Sequence, residues 1–248
     1  MTLFRRAATL ALPLAVAGLT LAGCERPEPK PSDRFGEKVR AYLLEHPEVL
    51  MEASAKLQEK QAAQQTADAQ KAIGQYRQAI ERDPRDIVIN PAGTITVTEF
   101  FDYRCSFCRH ATPEIVELVQ KNPDVRLVLK DFVIFGNDSE AAARIALGSK
   151  DQGKSLELYK ALMAENALDA AGALRIAQGL GVDLAKAKAA GESQAVTQHL
   201  ADTSALAKTL GLQGTPAFIV GDTLVPGADM NALKLAIEQV RAGKAKAG

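Results

Sequence analysis

The feature that most constrains this chain is a pair of cysteines, Cys105 and Cys108, placed where a strand pattern gives way to a helical one. Over residues 94–101 the alternation of Ile95, Val97, Glu99 and Phe101 predicts a strand, and the residues after Cys108 predict a helix running toward Lys121. The first turn of a helix has unpaired backbone N–H groups and partial positive charge, so a thiolate there is stabilised over its thiol. The leading cysteine is therefore expected to ionise below the free value of about 8.5. Such a pair is expected to cycle between dithiol and disulfide.

The chain has one other cysteine. Arg5 and Arg6 precede an apolar run, residues 7–22, which is too short and too abruptly ended for a membrane span and has the layout of an export signal. It ends in Leu21-Ala22-Gly23-Cys24, which resembles a bacterial lipobox. The resemblance implies that residues 1–23 are a lipoprotein signal peptide and that Cys24 is the lipid attachment. The alternative is an ordinary secretory signal cut near Gly23, with Cys24 left as a spare thiol. General secretion suits the leader better than twin-arginine export, and Glu25 after the cysteine favours the outer membrane over the inner. Residues 24–33, rich in proline and charge, read as a flexible tether. The expected location is the periplasm, on a lipid anchor.

With Cys24 acylated, no second pair remains to act as a structural staple, and a composition that is 47% hydrophobic needs none. Thirty basic residues balance thirty acidic ones, so no basic field argues for nucleic acid. A structural zinc site needs four ligands, and one CxxC with His46, His110 and His199 scattered does not supply them; no metal site is expected. Covalent haem attachment needs histidine directly after the second cysteine, where Arg109 stands. No cofactor beyond the Cys105–Cys108 disulfide is expected.

The remaining chain divides in two. Residues 34–83 read as an N-terminal helical segment: a short helix carrying Phe35, Val39, Tyr42 and Leu43 and capped by Asp33, a break at Pro47, then a long helix rich in Ala, Gln, Lys and Glu. Leu43, Leu50 and Leu57 recur every seven residues, and Ile73, Tyr76 and Ile80 form a second stripe. These stripes suit either another chain or the protein's own domain. Residues 84–242 read as α/β: a short strand at residues 87–89, a turn at residues 90–93, the strand before the cysteines, a helix kinked at Pro113, and a third strand at residues 125–130. Alanine-rich helices follow over residues 139–210. A hairpin turning at Gly221-Asp222 and a last helix with Leu233, Ile237 and Val240 on one face complete the pattern, and residues 243–248 read as a disordered tail.

The stretch Glu99-Phe100-Phe101-Asp102-Tyr103-Arg104-Cys105-Ser106-Phe107-Cys108 resembles the active-site segment of the DsbA-like protein disulfide oxidoreductases, and Gly214-Thr215-Pro216-Ala217-Phe218 resembles their cis-proline loop. Residues 39–60 are similar to the leading segment of suppressor-of-copper-sensitivity protein C (ScsC) relatives, some of which use it to build trimers. The resemblance implies a thioredoxin fold with an inserted helical subdomain and an envelope protein thiol-disulfide oxidoreductase that forms or isomerises disulfides in exported clients. It also implies a membrane redox partner and a possible homo-oligomer. Cys105, at the helix start and expected to be the more exposed, forms the mixed disulfide, and Cys108 resolves it. Glu99 matches a buried acid that relays the proton of Cys108. Thr215 and Pro216, with Ser106 and Phe107, are expected to bind client backbone as an added strand. Phe107 adds no charge where the strongest oxidants have histidine, so the disulfide is expected to be less oxidising, unless Arg109 or His110 compensates. Val133 stands where relatives usually have proline. The alternative reading is a copper-handling or other metal-binding envelope lipoprotein that uses the reduced dithiol.

Overall fold

The computed structural model describes residues 33–247, and the leader, Cys24 and most of the tether lie outside them. The chain divides into two compact units, Met1–Lys56 and Leu57–Gly248. In the first, α1 (Asp33–Glu45) ends before Pro47 and α2 (Glu48–Glu81) begins immediately after it. Proline has no N–H to give and fits the first positions of a helix, which gives the expected helix-break-helix. Asp33 is the first helical residue rather than a cap ahead of the helix. Phe35, Tyr42, Leu44, Leu50 and Met51 are all exposed.

The second unit holds the remainder of α2, then β1 (Ile87–Ile89), β2 (Ile95–Phe101), α3 (Ser106–Lys121) and β3 (Val125–Asp131). Helices α4 (Asn137–Gly148), α5 (Ser155–Ala164), α6 (Ala170–Gly179), α7 (Leu184–Gly191) and α8 (Gln194–Thr209) form the insertion, with a 3₁₀ turn at Lys150–Gln152. Strands β4 (Ala217–Val220) and β5 (Thr223–Pro226) and helix α9 (Met230–Ala247) close the fold. The sheet order is β1-β3-β2-β4-β5, with β2 and β3 parallel and the other pairs antiparallel. Every residue of β2 and β3 is buried, because helices cover both faces of this central pair.

The two faces bury different sets. Val97 and Phe101 of β2 and Leu127 and Leu129 of β3 pack with Ile115 of α3, Tyr159 of α5 and Leu233 of α9. Phe100, Phe132, Ala217 and Ile219 pack on the other side with Leu206 of α8, with Leu210 just after it, and with Ile73 and Ile80 of α2. This corrects the sequence reading at residues 34–83: from Leu57 onward α2 belongs to the second unit. Its last turn is held by side chains from the sheet. Thr98 Oγ1 donates to the Ile80 carbonyl (3.2 Å), Lys130 Nζ to Ala79 (2.6 Å) and Arg126 Nη1 to Glu81 (2.7 Å), meeting carbonyls that a helix end leaves unpaired. Lys130 Nζ also lies 2.7 Å from the Asp86 carboxylate, and both groups are buried. His199 sits between Asp86 (3.2 Å) and Asp83 (3.8 Å), whose charges Lys130 and Arg85 already meet.

The helical block is drawn tight by glycine. A Cβ on Gly148 of α4 would stand 2.0 Å from the Ala187 carbonyl oxygen of α7, and one on Gly191 of α7 would stand 2.4 Å from that of Arg144. Two further sequence expectations change. Helix α3 continues unbroken through Pro113, with Ile115, Val116 and Val119 buried beyond it. Helix α9 runs to Ala247, so helix replaces the tail expected after residue 243; Lys244 Nζ donates to the Thr94 carbonyl.

Candidate active site

Cys105 is the residue immediately before α3, in extended conformation, and its carbonyl accepts the N–H of Arg109 at 3.0 Å to open the helix. Its approach is set by Asp102, a buried carboxylate that accepts four hydrogen bonds: from Arg104 N (2.7 Å), Ser139 Oγ (2.7 Å), Ile134 N (2.8 Å) and Phe135 N (3.1 Å). One side chain thereby ties the end of β2, the loop after β3 and the start of α4 around the dithiol. The Thr215–Pro216 peptide is cis. Its loop, brought from more than a hundred residues away by the pairing of β4 with β2, places the Thr215 carbonyl 3.2 Å from Cys105 Sγ, which donates to it.

Both cysteines are free thiols. Cys105 is the more exposed of the two as expected, but only at 2% against 0% for Cys108, because the Thr215 loop lies against the leading sulfur. Exposure is carried instead by the rim. Ser106 and Phe107, between the cysteines, are both exposed, Phe107 at 67%, as are Arg104, Ile134 and Phe135.

The two sulfurs have opposed environments. A hydrogen bond from Cys108, then the Thr215 side chain and the backbone N–H groups of Cys108 and Phe107, outweigh burial and lower the Cys105 pKa to about 5. Burial, the hydrogen bond to Cys105 and the nearby Glu99 carboxyl push the Cys108 thiol far up. Position 107 takes part in this through its N–H rather than its side chain, so the missing histidine costs one stabilising group and leaves the others. Arg109 does not compensate: its guanidinium is bonded to the carbonyls of Glu165 (3.2 Å) and Asn166 (2.9 Å).

Glu99 lies on the covered face of β2, wholly buried. Tyr159 Oη donates to Glu99 Oε2 at 2.9 Å, and the Tyr159 hydroxyl is 3.4 Å from Thr112 Oγ1, which donates to the Cys108 carbonyl at 2.9 Å. Burial raises Glu99 to about 8, the Tyr159 hydrogen bond works against it, and the Cys105 charge adds to it. The structure thus brings together Glu99, Cys105, Cys108, Thr215 and Pro216, with Ser106 and Phe107 on the rim. The sequence reading passed over Asp102, Thr112 and Tyr159. Asp102 lay inside the quoted stretch without a role, and Tyr159 belongs to an alanine-rich insertion with no local signal of its function.

A five-stranded sheet of this order, with a dithiol at the head of the helix that leaves its central strand, is a thioredoxin fold, and the helical block between β3 and β4 gives it the DsbA-like form. The comparisons agree: residues 96–238 match the DSBA-like thioredoxin domain, and the chain belongs to that family, whose members are thiol-disulfide oxidoreductase-like proteins. Residues 33–64 match the copper resistance protein ScsC N-terminal domain. Among solved structures, a thioredoxin-like oxidoreductase from Silicibacter pomeroyi is 41% identical, covering 67% of this chain and 98% of that one, with a TM-score of 0.64. BcfH of Salmonella enterica Typhimurium is 33% identical, covering 83% and 94%, with a TM-score of 0.71. Proteus mirabilis ScsC in a transitional conformation is 26% identical, covering 83% and 94%, with a TM-score of 0.63. The curated relatives are Na(+)/H(+) antiporters NhaA, 29% identical in Salinispora tropica over 143 residues and 28% in Salinispora arenicola over 167. The chain spans about a quarter of their length, 22% and 26%. Among the described residues no helix is long and apolar enough to cross a membrane.

Proposed function

We propose that this protein exchanges disulfides with exported client proteins, with Cys105 as the sulfur that bonds to the client and Cys108 as the sulfur that releases it. The observation that carries this reading is the placement of two sulfurs in opposed settings at the head of α3: Cys105 against the cis-proline loop, with its pKa lowered to about 5, and Cys108 wholly buried within the helix, with its thiol pushed up. Only a thiolate attacks a disulfide, so at neutral pH the first step belongs to Cys105.

The second step requires Cys108 to lose its proton. While Cys105 is a thiolate its charge helps to raise Glu99. Once Cys105 is bonded to a client that charge is gone, Glu99 falls toward the ionised form, and its carboxylate takes the proton of Cys108. The Cys108 thiolate then attacks the Cys105 sulfur, the client sulfur leaves as a thiolate, and the Cys105–Cys108 disulfide closes. Run backward, the same steps donate a disulfide. A client strand lying beside the Thr215 carbonyl gains backbone hydrogen bonds without sequence demand, and Phe107, Ile134 and Phe135 offer apolar contact around it.

Isomerisation is favoured over simple oxidation by the N-terminal unit, which matches an ScsC N-terminal domain and carries unpaired apolar side chains suited to a second copy. The lipobox-like leader ending at Cys24 supports a reading in which the work is done in the envelope, on a lipid anchor, with a membrane protein resetting the redox state. The test is reactivation of scrambled ribonuclease: the reduced protein restores activity, and Cys105→Ser abolishes it. Absence of turnover by the wild type in either redox state overturns the reading. The copper-resistance name of the N-terminal match favours a second reading, in which the reduced dithiol holds Cu(I), a soft ion suited to thiolates. Tight anaerobic Cu(I) binding with negligible disulfide exchange would favour it.

A further inference from the structure

One carboxyl behind the dithiol takes no part in these steps. Asp131 is the last residue of β3 and stands opposite Phe101 in the parallel pairing, as Leu129 stands opposite Glu99. Residues two apart share a face of a strand, so Asp131 and Glu99 lie on the same covered face, diagonal to one another, under the helices that carry Cys108 and Tyr159. Asp131 is 2% exposed, and neither of its carboxyl oxygens has a hydrogen-bond partner in the protein. Tyr103 is 1% exposed, with its hydroxyl likewise unpartnered, and so is the second oxygen of Glu99, Oε1. The Tyr103 ring is fixed edge-on to Phe101, centroids 4.9 Å apart, and makes a second edge contact with Tyr159 at 6.4 Å. Buried polar groups are almost always satisfied, by water where protein does not reach. Here a hydroxyl donor and two carboxyls with open positions share one buried face behind the sulfurs.

We propose that Tyr103 and Asp131 are positioning residues for the proton step, joined through water to Glu99 Oε1 and holding that oxygen ready to receive the proton of Cys108. The proposal rests on the exchange reading above. Burial, with the Asp86 and Asp102 charges, pushes the Asp131 carboxyl well up, so it takes part as a neutral acid able to donate. Burial, with the acidic side chains around it, keeps Tyr103 a phenol. The other titratable groups around this face are Cys105 and Cys108 from α3 and Tyr159 from α5; Lys130 and Asp86 pair with each other on the far side of the sheet. Donation to a carboxylate favours its charged form, so the network makes Glu99 a carboxylate at lower pH than burial alone would allow. The step itself is unchanged: the Cys108 proton passes to Glu99, and the Cys108 thiolate displaces the client sulfur from Cys105.

The test follows the closing of a preformed mixed disulfide between Cys105 and a cysteine peptide, against pH, in the wild type and in the variants Tyr103→Phe, Asp131→Leu, Asp131→Asn and Glu99→Gln. Tyr103→Phe and Asp131→Leu are expected to move the midpoint up by about one pH unit, about tenfold in rate on the rising limb. Asp131→Asn keeps a donor and should move it less. The initial attack by Cys105 should be unaltered in Tyr103→Phe, Asp131→Leu and Asp131→Asn, which a general loss of folding would not allow. Profiles unmoved in Tyr103→Phe and Asp131→Leu, or moved equally by all three Tyr103 and Asp131 variants, overturn the proposal. If Asp131→Leu does not fold, Tyr103→Phe decides. A shift in Glu99→Gln alone sinks this inference and spares the exchange reading, whereas a wild type that forms no mixed disulfide sinks that reading itself.

Discussion

Cys105 is ionised by hydrogen bonds more than by its place at a helix end, and the largest of these comes from its partner sulfur. Replacing Cys108 with alanine removes that donor, so the thiolate absorbance of Cys105 near 240 nm should titrate with a midpoint raised by roughly one unit above the wild-type value of about 5. That value lies between those of about 3.5 for DsbA and about 7 for thioredoxin, so the reduction potential should fall between about −120 and about −270 mV in a glutathione titration. Glu99 has the opposite sign. Its pKa is raised by folding to about 8, so its contribution to stability is full below the unfolded carboxyl value and fades as pH rises toward 8. Glu99→Gln removes this loss. In the oxidised protein, where Cys105 does not titrate and burial still raises Glu99, the melting temperature of the variant should gain on the wild type as pH rises above about 5. Parallel curves would mean that Glu99 is not held protonated.

The elements differ in how plainly the sequence announced them. The strands and the β4–β5 hairpin were legible because period-two alternation and a Gly-Asp turn are local signals, and the CxxC sat at a strand-to-helix boundary that local pattern also marks. The end of the N-terminal segment was not. In α2, Ile73 and Ile80 form one stripe among Ala, Gln and Lys, and spacing alone cannot tell whether such a stripe meets the same domain or another chain. They are buried in the second unit, while Leu50 and Leu57 of the other stripe stay exposed. Tyr159 was equally hidden, because its value to the site arises only when the helical insertion folds back on Glu99. Two predictions belong at this scale. Gly148→Ala forces a methyl against the Ala187 carbonyl and should cost roughly 1–3 kcal/mol in urea unfolding. Lys130→Met strands the buried Asp86 carboxylate and frees the last turn of α2, at a cost of roughly 3–5 kcal/mol.

At the scale of the whole molecule, the dithiol lies in the second unit and the exposed apolar residues of α1 in the first. Truncation after Lys56 follows the observed boundary and leaves Ile73 and Ile80 in place, unlike removal of the whole helical segment. In sedimentation the truncated protein should be monomeric where the longer chain is an oligomer, and it should keep dithiol oxidation while losing most of its ribonuclease reshuffling. Unchanged mass would assign the exposed apolar residues of α1 another use. The central claim is narrower: Cys105 bonds covalently to other polypeptides, and Cys108 frees it. The most direct measurement is mass spectrometry of Cys108→Ala after mixing with a disulfide-scrambled, unfolded ribonuclease across a series of pH values. The account predicts a mixed disulfide trapped at Cys105, forming down to about one pH unit above the wild-type midpoint of about 5 because the Cys108 donor is gone, and absent from the wild type, where Cys108 resolves it. No adduct at any pH, or one that forms only near the free thiol range of about 8.5, would contradict it.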